Sequence, residues 1–148
     1  MSSAAKKLDY ELSEPGVSFI ATLEDGSSFS ASLTELKSST TPGRGDVWVV
    51  VATERKNGTP RTFTITFSKN IEETDGQITD DDKHTSLIFN NYEDLHDPTL
   101  QKARAGTIKY KLDTSTQNFN GSFVARIDKA DGSGTYECLG QFNTLLSR

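Results

Sequence analysis

The chain has 148 residues, 33% of them hydrophobic, and a formal net charge of -5. This is enough for one domain with its own core, so residues 1-148 are expected to form a single β-domain. The acidic balance excludes a phosphate-reading surface, and no nucleic-acid partner is expected. No membrane span is expected either, because the longest apolar run, Val47 to Ala52, is far shorter than the roughly 20 residues a bilayer demands.

The dominant period along the chain is two, the spacing at which strand side chains share a face. Leu8, Tyr10 and Leu12 alternate with Lys7, Asp9 and Glu11. After Glu14-Pro15-Gly16, one face takes Val17, Phe19, Ala21 and Leu23. Asp25-Gly26 is a two-residue hairpin signal, and Phe29, Ala31 and Leu33 follow it, alternating with Ser28, Ser30 and Ser32. These three segments read as a meander.

The next strand, Val47 to Thr53, is apolar on both faces, as a central or covered strand is. Asn57-Gly58 turns it into Phe63, Ile65 and Phe67, alternating with Thr62, Thr64 and Thr66. Thr85 to Tyr92 is a less regular strand. One helix is expected: Asp97-Pro98 offers an N-cap and a proline at the first helical position, and Gly106 stops the turn pair Thr99 to Ala105. Ile108, Tyr110 and Leu112 then resume the strand period. Two further strands carry Phe119 to Ile127 and Tyr136 to Phe142, joined at Asp131-Gly132. A Gly-x-Phe step occurs in each, at Gly121 and Gly140, marking a bulge or a close approach of backbone to an aromatic ring. The long connections Thr34 to Asp46 and Lys69 to His84 are expected to be loops that border any binding site.

About nine one-sided strands must stack as two sheets or close on themselves. The expected fold is therefore all-β: an antiparallel β-sandwich of about nine strands with one short helix, the alternative being a closed lipocalin-like β-barrel. The irregular strand spacing favours the sandwich.

Several residues are candidates for chemistry. Trp48, with Tyr92 or Tyr110, offers aromatic faces on which a sugar ring stacks. The acidic segment from Ile71 to Asp82 resembles part of an EF-hand loop, and Glu73, Asp75, Asp80 and Asp82 are its candidate calcium ligands. Ile71 stands where the first ligand belongs, so the plainer expectation is a solvated hairpin tip at Asp75-Gly76 and no cofactor. Arg44-Gly45-Asp46 resembles the integrin-recognition tripeptide, though the loop leading into Val47 accounts for it. Lys102, Arg104, Lys109 and Lys111 read as solvated side chains. The serine and threonine ladders read as ordinary outward strand residues.

His84 and His96 are the only histidines, and neither sits in a motif. The lone Cys138 falls on an apolar face beside Tyr136 and Phe142, where a thiol behaves as a small hydrophobe. Unpaired cysteine and the lack of an apolar leader between Met1 and Glu14 point to a cytoplasmic location. The expected function is a non-enzymatic binding or interaction module that uses loops or a sheet face, its partner a protein or a small-molecule or carbohydrate ligand. A lipocalin-like carrier and an enzyme with a site around His84 or His96 are the alternatives. Open sheet edges also make a homodimer an expectation.

Overall fold

The computed structural model describes residues 16-56, 59-81, 84-91 and 99-148. Among them the chain is all-β, and no helix is present. Ten strands follow one another: β1 Phe19–Thr22, β2 Ser28–Ser30, β3 Leu33–Thr41, β4 Gly45–Lys56, β5 Thr59–Ser68, β6 Glu73–Thr79, β7 Ser86–Asn91, β8 Thr99–Asp113, β9 Asn118–Asp128 and β10 Thr135–Leu145. The strand signals at 8-12, the Asn57-Gly58 turn and Tyr92 lie outside the described residues.

All ladders between these strands are antiparallel, in the order β2-β1-β10-β9-β8-β7-β5-β4-β3, with β6 added to β8. The two layers expected of a sandwich are thus the two arms of one strongly curled sheet. β8 makes the turn between them. Its first residues, Thr99 to Lys102, pair with β7, and from Ala103 onward it pairs with β9. A register shift between Ala103 and Ala105 lets Arg104 drop out of the ladder, which bends the strand. The two arms meet where the segment after β10 lies along β3. Leu36 N donates to Ser147 O at 2.7 Å, and Ser147 N donates to Thr34 O at 2.9 Å. Behind that seam the buried hydroxyls of Thr34 and Thr144 lie 2.7 Å apart.

The alternation read from the sequence decides what enters the core. On β10 it is strict: Tyr136, Cys138, Gly140, Phe142 and Thr144 point in, and their neighbours point out. On β5, Phe63, Ile65 and Phe67 are buried while Thr62, Thr64 and Thr66 face outward. All eight phenylalanines of the chain end in one core. Their rings touch in a continuous series from Phe89 through Phe63, Phe19, Phe142 and Phe119 to Phe67 and Tyr110. Phe119 and Phe142 stack with centroids 4.5 Å apart, and Phe29 meets Phe63 edge-on at 4.8 Å. Such offset and edge contacts add to what burial alone contributes.

Three expectations are corrected. Thr99 to Ala105 is strand, not helix. Gln101 and Ala103 are buried while Leu100 is 62% exposed, a period of two that a helix cannot produce. Gly106, read as a helix stop, sits mid-strand at φ +156°, where an added Cβ would meet the Val124 carbonyl oxygen at 2.3 Å. Thr34 to Asp46 is mostly the hairpin of β3 and β4, nine ladder pairs from Leu33–Thr53 to Thr41–Gly45. Serine and threonine dominate that stretch, so its one-sided pattern is hard to see in the letters. Finally, Lys69 to His84 contains β6, and Asp75-Gly76 lies inside that strand instead of at a hairpin tip.

Candidate functional site

At one mouth of the curled sheet, β8 gives up β7 and takes β6 as its neighbour on the same edge. β5 and β7 continue with one arm while β6 stays with the other, and a cleft of about 430 Å³ opens in the fork. Phe67 and Tyr110 form its floor, with centroids 4.4 Å apart. Ile71 and the inward face of β6, Thr74 and Gly76, make one wall. Gly76 leaves its part of that wall bare, and an added Cβ would lie 3.1 Å from Thr74 Oγ1. The opposite wall is the β3–β4 turn with Arg44, and Gln77, His84 and Thr85 complete the rim.

The polar groups of this cleft are held in place. Arg44 Nη2 donates to Thr66 O at 3.1 Å and to His84 O, clamping the β3–β4 turn to the segment before β7. Tyr110 donates its hydroxyl to Ile71 O at 2.7 Å. Burial pushes this phenol up to about 12. The His84 side chain is half exposed, its Nδ1 4.0 Å from Asp81 Oδ1. A few fixed polar side chains around an aromatic floor suit recognition of a ligand with both polar and apolar parts.

The residues singled out in the sequence scatter around this cleft. Tyr110 lies in its floor. Trp48 does not line it; it faces Phe67 across the β4–β5 ladder, with Lys69 Nζ 4.3 Å and the Arg148 guanidinium 5.3 Å from its ring centre. Both cations lie over the ring, whose other contacts are with the core. Tyr92, His96 and Asp82 lie outside the described residues. Of the calcium candidates, Glu73 and Asp75 stand opposite Lys111 and Lys109 across the β6–β8 ladder. Asp80 binds Arg104 at 3.2 Å, and Arg104 Nη2 also holds Asp128 at 2.8 Å. Hydrogen bonding to Arg104 keeps the Asp128 carboxyl below its ordinary range. Among the described residues no three His, Cys, Asp or Glu side chains gather as metal ligands do. The tripeptide around Gly45 is tied down as well: Arg44 folds back onto carbonyls, and Asp46 Oδ1 accepts from Thr40 Oγ1 at 2.9 Å.

Comparison with protein-family models, curated proteins and solved structures found no match to this chain. The cleft is therefore read from its own chemistry. Phe67, Thr74 and Gln77 were not legible as site residues, and Arg44 stood out only as part of the Arg44-Gly45-Asp46 tripeptide. Only the mid-strand glycine of β6 carried a signal, and beside an aspartate it reads as a turn.

Proposed function

We propose that this protein is a non-enzymatic binding module whose ligand site is the cleft between β6 and the β3–β4 turn. The observation that supports this most is the convergence of Arg44, Gln77, His84 and Thr74 over the Phe67–Tyr110 floor in about 430 Å³. Ligand sites typically have ~300-1,000 Å³ and a few fixed polar groups on an apolar lining. Binding is favoured over turnover because a phenol pushed up to about 12 stays protonated at neutral pH and is a poor proton carrier there. Phenylalanine rings fill the interior where a carrier would enclose its cargo, which favours a ligand at the mouth. A reducing compartment such as the cytoplasm suits the single buried thiol, Cys138.

The test is amide chemical-shift mapping of the ¹⁵N-labelled chain with acetate, benzoate, glucose and a blocked dipeptide as probes. At least one probe should shift Arg44, Gln77, His84 and Tyr110 together. Gly76→Val should abolish those shifts while leaving the thermal melt intact, because it fills the cleft on a strand that tolerates β-branched residues. Shifts absent for every probe at millimolar concentration, or unchanged in Gly76→Val, overturn the proposal.

A further inference from the structure

β6 has one partner strand and two edges. Its even-numbered residues aim their N–H and C=O groups at β8, as the 2.7 Å bond from Leu112 N to Glu72 O sets at the start of the ladder. In an antiparallel ladder the intervening residues turn their N–H and C=O groups the other way. Thr79 does so, and donates to Thr85 O at 3.0 Å beside the parallel bridge between Ile78 and Thr85. That second ladder stops there. Toward the start of β6, the backbone groups of Glu73 and Asp75 that face away from β8 find no partner among the described residues. The open stretch borders the cleft through Thr74 and Gly76.

Building on the cleft as the binding site, we infer that its occupant is an extended segment of a partner protein. That segment adds to the free edge of β6, apolar on the side turned inward and basic on the side turned outward. The inward preference follows from what lies beneath: Thr74 and Gly76 on β6, with Phe67, Tyr110 and Ile71 around them. The outward preference follows from charge. Glu73 and Asp75 already face Lys111 and Lys109 on the β8 side, and a strand on the other side would stand next to the same carboxylates. Opposite charges across a strand pair stabilise it and like charges weaken it. A second copy of this edge would bring acids against acids, so self-pairing is disfavoured and a basic partner is selected. Pairing of main-chain groups would supply affinity, and alternate side chains specificity.

The probe is acetyl-Lys-Val-Lys-Val-Lys-Val-amide, set against its glutamate counterpart and two analogues, N-methylated at the lysines or at the valines. The lysine peptide should slow hydrogen exchange of the Glu73 and Asp75 amides by about tenfold at saturation. One N-methylated analogue should lose binding, and Glu73→Gln with Asp75→Asn should weaken the lysine peptide about fivefold, the effect of losing two exposed charge pairs. Cleft shifts without amide protection, or equal binding by all peptides, overturn strand addition and leave the cleft as a binding site. A dimer in which both amides are already protected also overturns it. Silence of the cleft toward these peptides and the small probes alike removes both proposals.

Discussion

Gly140 lies directly beneath the Phe123 ring: a Cβ built there would come within 2.1 Å of it. The pair sits in register across the β9–β10 ladder, so at Gly140 the Gly-x-Phe step is a close approach of backbone to an aromatic ring, whereas at Gly121 the close approach is to the backbone of Lys109 and Tyr110. Gly140→Ala should cost about 1–3 kcal/mol, the range for overpacking a filled core, measured by urea unfolding. A second residue-scale pattern is Asp-x-Ser. Asp25, Asp113 and Asp131 each accept the backbone N–H of the serine two residues on, at 2.9 Å in all three turns. The serine hydroxyls hold these carboxyls below their ordinary value of 3.8, the backbone N–H groups helping. A carboxyl lowered on folding contributes stability above its unfolded value and loses it as pH falls. The three turns should therefore loosen below about pH 4, seen as lower amide protection factors, relative to the intrinsic rate at each pH, at Ser27, Ser115 and Ser133. Asp25 and Asp131 were legible through the glycines that follow them; Asp113, followed by threonine, was not.

At the scale of elements, β8 separates what local pattern carries from what it does not. Its second half, with Ile108, Tyr110 and Leu112 inside, alternates plainly. The first half buries Gln101 and Ala103 and exposes Leu100, so its hydrophobicity runs against its burial. Gln101 is tolerated inside because its Nε2 donates to Asp128 O at 2.7 Å, a partner 27 residues away. No local signal carries that bond, and the helix expectation arose where it was needed. Gly106→Ala tests the crossover. Positive φ and the Val124 carbonyl both oppose a side chain, so a loss of about 2–4 kcal/mol in thermal or urea unfolding is expected. If the loss is under about 0.5 kcal/mol, the bend at Ala103–Ala105 does not depend on this glycine. β3 and β6 were missed for a related reason: pairing with β4 and β8 makes them strands, and the run of serines and threonines or acids does not announce it.

For the whole molecule, the curl of one sheet around eight phenylalanines, Tyr110 and Tyr136 explains both its core and its sensitivity to base. Cys138 and Tyr110 are each pushed up to about 12 by burial, and Tyr136 is raised further for the same reason. Groups raised on folding keep the native state fully favoured below their unfolded values. That advantage fades as pH climbs toward the folded values, because only the unfolded chain can release the protons. Stability should therefore fall steadily from about pH 9 to pH 12, followed by the urea midpoint, and Cys138 should resist a thiol reagent at pH 8 until the chain unfolds. A pH-independent midpoint across that window would mean these three side chains are wetter than their positions imply.

Alternation of apolar and polar residues, together with Asp-Gly turns, was enough to specify an antiparallel all-β chain and the inward set of phenylalanines, because both depend on neighbours one or two residues apart. The joining of the arms through β8, the seam between Thr34 and Thr144, and the cleft beside β6 depend on residues dozens of positions apart. Only the folded chain brings those groups together, since hydrogen-bond partners and shared space, not local pattern, decide which edge stays open.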